Sequence, residues 1–164
     1  MKRLLPFENV TYKTELSPTE IANQLRSSTQ YTTLGKSISE KGFTIKRIIN
    51  YRNSFLPIVT GTITEEEKEK EKENETTVNV KMKMNILVII FMTFWFAMVF
   101  LACFATIAIS YSSGFEVFYL IPFGMLIFGV LLVVGGFKAE SSKTKKDLQK
   151  ILQAQIVSCK KESY

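Results

Sequence analysis

The sequence predicts an α+β protein with a small cytosolic antiparallel sheet of about four strands, one N-terminal helix, a transmembrane helical hairpin, and a C-terminal amphipathic helix packing back on the sheet. Three observations carry this reading. Between Lys83 and Lys138 the only charged residue is Glu116, although the 164-residue chain is 22% charged overall. Outside that block, short stretches alternate apolar and polar residues with the period of two that half-buried strands require. A helix start and an amphipathic stripe then stand out among the polar segments.

Taken in order, the N-terminus runs Met1-Lys2-Arg3-Leu4-Leu5-Pro6-Phe7 and meets Glu8 at once. A basic start without a following apolar run is not the pattern of a cleaved signal peptide, so the first apolar span is expected to act as the targeting signal. Asn9 to Leu16 alternate as a strand. Ser17, Pro18 and Glu20 then spell a helix start, with N-cap, first-turn proline and capping-box partner. Ile21, Ala22 and Leu25 share the apolar face of that helix, which should end by Ser27-Ser28. Thr29 to Ser39 reads as an irregular connection.

Gly42 opens a second strand, in which Phe43, Ile45, Arg47 and Ile49 lie on one face. Tyr51-Arg52-Asn53-Ser54 has turn composition, and the stretch Phe55 to Thr64 is rich in β-branched residues. Pro57 predicts an edge strand or a bulge there. The run Glu65 to Glu75 has seven acids, three lysines and no apolar residue, the composition of a solvated loop. Val78, Val80, Met82 and Met84 alternate as a further strand leading into the apolar block, which places the sheet close to the membrane surface.

The apolar block divides into spans at Ile86–Ser110 and Val117–Phe137, separated by the polar break from Tyr111 to Glu116. At about 1.5 Å per residue, each can cross a hydrocarbon core about 30 Å thick, so residues 85–137 are expected to form a membrane hairpin. Tyr111, Phe115 and Tyr119 suit the far interface. Trp95 lies deep within the first span, where its indole N–H calls for a partner. Ala97, Ala102, Ala105 and Ala108, with Gly124, Gly129, Gly135 and Gly136, offer small surfaces for close helix approach. Pro122 removes a backbone donor near the start of the second span. Beyond it, Lys143 to Val157 read as an amphipathic helix with Leu148, Ile151, Leu152 and Ile156 on one stripe.

Three regions follow: a cytosolic α+β module at 1–84, the hairpin at 85–137, and a cytosolic helix and tail at 138–164. The net charge of +6 divides into +3 on the first, −1 on the second and +4 on the third. Lys81 and Lys83 precede the first span and Lys138, Lys143, Lys145 and Lys146 follow the second, while the connecting turn has no basic residue. This asymmetry predicts a multi-pass protein of the inner (plasma) membrane with both termini cytoplasmic, its lysines facing anionic headgroups at the surface. Asn9-Val10-Thr11 and Asn74-Glu75-Thr76 match the glycosylation acceptor pattern, which would matter only for the opposite orientation. The two cysteines, Cys103 in the first span and Cys159 in the tail, suggest no disulfide framework.

The chain has no histidine and a single aspartate, Asp147. General bases, catalytic triads, metal-ligand spacings and phosphate-binding Gly-rich loops are missing their parts, so no catalytic residue, metal or cofactor is expected. The positive charge flanks spans rather than forming a nucleic-acid footprint. The binding candidates are Arg47, Tyr51, Arg52 and Asn53, since arginines offer donor forks for phosphate or carboxylate and Tyr and Asn in a turn can complete the contact.

The stretch Ile48 to Pro57, followed by Gly61, Ile63, a strand and a span opening Phe91-Met92-Thr93-Phe94-Trp95-Phe96, resembles a group of bacterial two-span membrane proteins. The resemblance implies the architecture and brings no activity with it. A looser likeness is to helix-grip lipid-binding folds, in which strand, helix, antiparallel strands and a closing C-terminal helix follow in that order. The expected function is a membrane-anchored, non-enzymatic module that binds a lipid headgroup, a small ligand or a protein partner. The alternative is an oligomeric pore-forming, transport or membrane-perturbing subunit, which would make a second copy the partner.

Overall fold

A computed structural model describes residues 7–33, 38–66 and 75–158. Residues 67–74 of the charged run, the basic N-terminus and Cys159 therefore lie outside the described residues, while Glu65, Glu66 and Glu75, expected in a loop, belong to strands.

The chain runs β1 (Phe7–Thr14), α1 (Pro18–Ser27), β2 (Tyr31–Thr33), β3 (Gly42–Arg47), β4 (Ile58–Glu66), β5 (Glu75–Lys83), α2 (Ile86–Ser113), a 3-10 turn (Val117–Leu120), α3 (Ile121–Ile151) and β6 (Gln155–Ser158). The strands form one antiparallel sheet in the order β2-β3-β4-β5-β1-β6. It has six strands rather than about four. The two additions are short: β2 lies inside the stretch read as irregular, and β6 inside the stretch read as helix. Pro57 stands just before β4, which pairs on both sides and is not an edge strand.

Strand alternation gives the sheet one apolar face, and α1 and α3 cover it. Val10, Tyr12, Phe43, Ile45, Val59, Val78, Val80 and Met82 point inward and meet Ile21 and Leu25 of α1 and Phe137, Leu148 and Leu152 of α3 in one core. Burial of each large aliphatic side chain contributes roughly 1.5–3 kcal/mol. Gly61 is required at its place in β4, because the Phe43 ring from β3 lies where a Cβ would be. The start of α1 is as the sequence predicts: the Ser17 hydroxyl accepts from the Glu20 amide and the Glu20 carboxylate accepts from the Ser17 amide at 2.8 Å.

The two apolar helices pack antiparallel as a hairpin, and both are long and apolar enough to cross a membrane. Little of either apolar stretch is buried within the chain, 11% for α2 and 6% for the second, which is the reverse of a soluble core helix. Phe91, Phe94, Phe104, Ile127 and Leu131 are all exposed. Gly129 lies beneath the Trp95 ring, and Gly136 beneath Phe55. Ala97, Ala102, Ala105 and Ala108 instead face outward, and Gly124 and Gly135 have nothing against them. Pro122 does not kink a running helix. It sits in the first turn of α3, after the 3-10 turn, where its missing N–H is harmless.

The expected separate C-terminal helix is not separate. The second apolar span continues without a break into the charged segment that follows it, making α3 a single helix of 31 residues. No proline interrupts the sequence after Phe137, and the core stripe Phe137, Ser141, Thr144, Leu148 carries the helix onto the sheet. Nor does the helix reach Val157. It ends at Ile151, with Gln153 in the left-handed region (φ 46°) and the Ala154 amide donating to the Gln149 carbonyl. The Thr14 hydroxyl donates to the Leu152 carbonyl at 2.7 Å, and the chain turns back to pair with β1. Residues on either side of the hairpin thus build one sheet, so both ends of the hairpin open on the same side.

Candidate functional site

The geometry of interest lies where α3 leaves the apolar hairpin and crosses the sheet. Strand alternation places Glu8 of β1 and Arg47 of β3 on the inner face, at the sheet end beside the hairpin, one on either side of the helix. Helical spacing supplies their partners. Lys138, Ser141 and Lys145 recur on the flank of α3 facing β1, and Glu140, Lys143 and Asp147 on the flank facing β3.

On the first flank, Glu8 forms ion pairs with Lys138 and, at 2.8 Å, with Lys145, and accepts a hydrogen bond of 2.5 Å from the Ser141 hydroxyl. Burial pushes the Glu8 carboxyl upward, but the donors from Lys138, Lys145 and Ser141 outweigh it and hold the pKa at about 2 against an ordinary 4.5. On the second flank, Arg47 Nε lies 2.9 Å from Asp147 Oδ2 and Arg47 Nη1 lies 3.5 Å from Glu140 Oε2. The Tyr51 hydroxyl donates to Glu140 Oε1 at 2.5 Å, and Lys143 Nζ donates to both Tyr51 and Glu140 at 3.3 Å. The Glu140 side chain is only 3% exposed. Its burial favours the neutral acid, yet the Tyr51 and Lys143 donors and the Arg47 charge lower its pKa below the ordinary range. Tyr31, opposite Arg47 on β2, has its hydroxyl buried, and burial together with the Asp147 carboxylate raises its pKa.

Of the four binding candidates, the structure therefore brings Arg47 and Tyr51 into an internal ion-pair network. Asn53 builds the turn, its Oδ1 accepting from the Phe55 amide at 2.9 Å. This turn presents Phe55 to Gly136 on α3, one helical turn before Glu140. Arg52 is different: it is exposed and has no ion-pair partner among the described residues. Among the surface lysines, Lys138, Lys143 and Lys145 are drawn into the two flanking networks, whereas Lys81, Lys83 and Lys146 are exposed.

The same turn borders an open groove of about 650 Å³ lined by Lys46, Arg47, Ile48, Tyr51, Arg52, Asn53, Asn85, Leu87 and Val88, among others. Its cationic wall comes from β3 and the turn. Its floor is the first turn of α2, whose start is capped by the Asn85 side chain accepting from the Leu87 amide at 3.0 Å. A cationic wall above the first turn of an apolar helix can accept a phosphate or carboxylate in the interfacial layer.

Glu8, Glu140, Ser141 and Asp147 were not among the sequence candidates. Their signal is the seven-residue recurrence Lys138/Lys145 beside Glu140/Asp147, two stripes of opposite sign flanking an apolar one. Neither a scan against models of known families nor searches of curated proteins and of solved structures finds a match to this chain.

Proposed function

We propose that this chain is a non-enzymatic module anchored in the bacterial inner membrane by its hairpin, with both termini cytoplasmic, and that it binds the anionic headgroup of a membrane lipid. The observation that carries the reading is the groove at the start of α2, where the unpaired Arg52 guanidinium and Lys46 stand at the level at which an apolar helix begins. Orientation rests on the lysines flanking the hairpin and the absence of any in its turn. The two ion-pair networks then have a mechanical role: they fix the rotation of α3 against the sheet, so the groove is held rigidly to the membrane segment.

The test is a titration of the detergent-solubilised protein with short-chain dihexanoyl phosphatidylglycerol and, separately, dihexanoyl phosphatidylcholine. Saturable binding of the anionic lipid is expected, with Arg52→Ala weakening it about tenfold or more, since a hydrogen bond to a charged group is worth about 1.5–3 kcal/mol. Equal binding of both lipids, or none of either, overturns the reading.

A further inference from the structure

A second groove, about 470 Å³ in volume, lies lower on the hairpin and is almost entirely apolar. Phe91 and Trp95 of α2, Phe128 and Leu132 of α3, and Phe55 from the turn line it. Two close approaches shape it. The edge of the Trp95 ring takes the space over Gly129 that a side chain would fill, and Phe55 does the same over Gly136. Trp95 is about 14 Å along the helix from Ile86, so with α2 starting at the interface the groove runs nearly to the bilayer midplane.

The two grooves adjoin. Ser54, Leu87 and Val88 line both. Cationic groups therefore stand on one side of this shared wall and an apolar cleft on the other, which is the polarity of an amphiphile with an anionic head. The lower groove is open at the side and has the size of one lipid tail rather than two. We propose that the two grooves form one site for a single anionic glycerophospholipid, its phosphate against Arg52 and Lys46 and one acyl chain laid between α2 and α3 over Trp95. This rests on the headgroup reading above and adds to it the chain, the stoichiometry and the route, which is lateral entry from the bilayer. A protein segment is the poorer fit, because a peptide entering the lower groove would bring backbone polar groups to a wall that satisfies none of them.

Trp95 is the only tryptophan of the chain, so its fluorescence reports on this groove alone. The protein is reconstituted in phosphatidylcholine vesicles, and phosphatidylglycerol with a chain brominated at mid-length is added in increasing proportion. Brominated phosphatidylcholine is the parallel series. The expected result is quenching by the anionic lipid that saturates at a low mole fraction, quenching by the zwitterionic lipid that only follows its mole fraction, and loss of the difference in Arg52→Ala. Quenching by both lipids in simple proportion to mole fraction overturns the chain site. The headgroup reading survives that result if the short-chain titration still separates the two lipids. Saturable quenching by both lipids alike shows a chain groove without headgroup selection and overturns the single-site proposal together with the headgroup reading. Absence of quenching by either shows the groove filled by protein, such as a second copy, and also overturns it.

Discussion

The part of α3 before Phe137 and the part after it obey opposite rules of burial. In the first, Ile127, Phe128 and Leu131 are exposed while Gly129 is buried; in the second, Glu140, Ser141 and Thr144 are buried while lysines stand outside. The backbone is one uninterrupted helix, so local propensity does not distinguish the halves. What differs is the surface each turns outward. The first half presents apolar surface outward and needs only small residues inward; the second uses charged pairs where it meets the sheet. The joint between them at Phe137, which is fully buried, is where Lys138 and Glu140 diverge to the two flanks.

The strongest way to break this arrangement is to leave buried charge unpaired in the second half. Arg47→Ala deprives Asp147 of its cation and leaves Glu140 with Lys143 and Tyr51, and since removing one partner of a fully buried pair costs about 3–5 kcal/mol, that range is the ceiling for this partly buried one. Thermal or denaturant unfolding of the purified protein should show that loss. The triple replacement Arg47→Met, Glu140→Met and Asp147→Leu should recover most of it, because an apolar contact of similar volume removes the desolvation penalty as well. If the single and triple variants are equally unstable, the network contributes something other than paired charge.

In the first half, a single charge should matter where it faces hydrocarbon and not where it faces water. Ile127→Arg near the centre of the second span is expected to disfavour membrane insertion by about 3–4 kcal/mol, from the difference between arginine and isoleucine at a helix centre. Gln149→Arg, at an exposed position on the same helix, should leave insertion unchanged. Carbonate extraction of membranes carrying each variant reads the difference. Equal extraction of the two would mean that the first half is not in the bilayer.

The contrast between the halves also accounts for what could be read from the sequence. Apolar length and the single charge at Glu116 mark the hairpin from composition alone, and Ser17, Pro18 and Glu20 mark α1 from local chemistry, because both signals are contained within a few residues. The continuity of α3 was obscured by the change from apolar to charged composition at Lys138, which looks like the end of an element and is only a change of composition along one helix. Its real end at Ile151 is followed by no glycine or asparagine to announce the left-handed turn at Gln153, so a helical stripe extended through Ile156 into what is β6. For the candidate site, Arg47 and Tyr51 were legible as chemically capable residues on a strand and a turn. That their partners would be acids from α3 depends on how a helix ninety residues away lies across the sheet, and no local pattern carries that. Arg52, next to Tyr51 in the same turn, is exposed and has no ion-pair partner among the described residues.

The β1 flank sharpens the comparison through pH. The folded pKa of Glu8, about 2, lies below the ordinary 4.5, so its ion pairs stabilise the fold at neutral pH and that stabilisation fades as pH falls from about 4.5 toward 2. At about 1.4 kcal/mol per unit the full contribution is roughly 3 kcal/mol at most. Glu8→Gln should lie below the wild type in stability at pH 7, and the gap should close as pH drops through that window. A gap that stays constant with pH would assign the effect to packing against Met82 instead of charge.

The smallest effect is expected at a helix that has no exposed apolar half. α1 begins in the sheet module, and amides of its start are met by the Ser17 hydroxyl and the Glu20 carboxylate, whereas α3 begins on the far side of the hairpin with no side-chain cap and takes its direction from the preceding 3-10 turn and Pro122. Ser17→Ala removes one acceptor from an exposed helix start and should lower stability by about 1 kcal/mol. Because α1 contributes Ile21 and Leu25 to the core at a distance from the hairpin, this loss should appear in unfolding of the sheet module while membrane insertion and lipid-dependent Trp95 fluorescence stay as in the wild type. A Ser17→Ala variant that altered Trp95 fluorescence would show that the sheet and the hairpin are coupled more tightly than the two flanks of α3 alone provide.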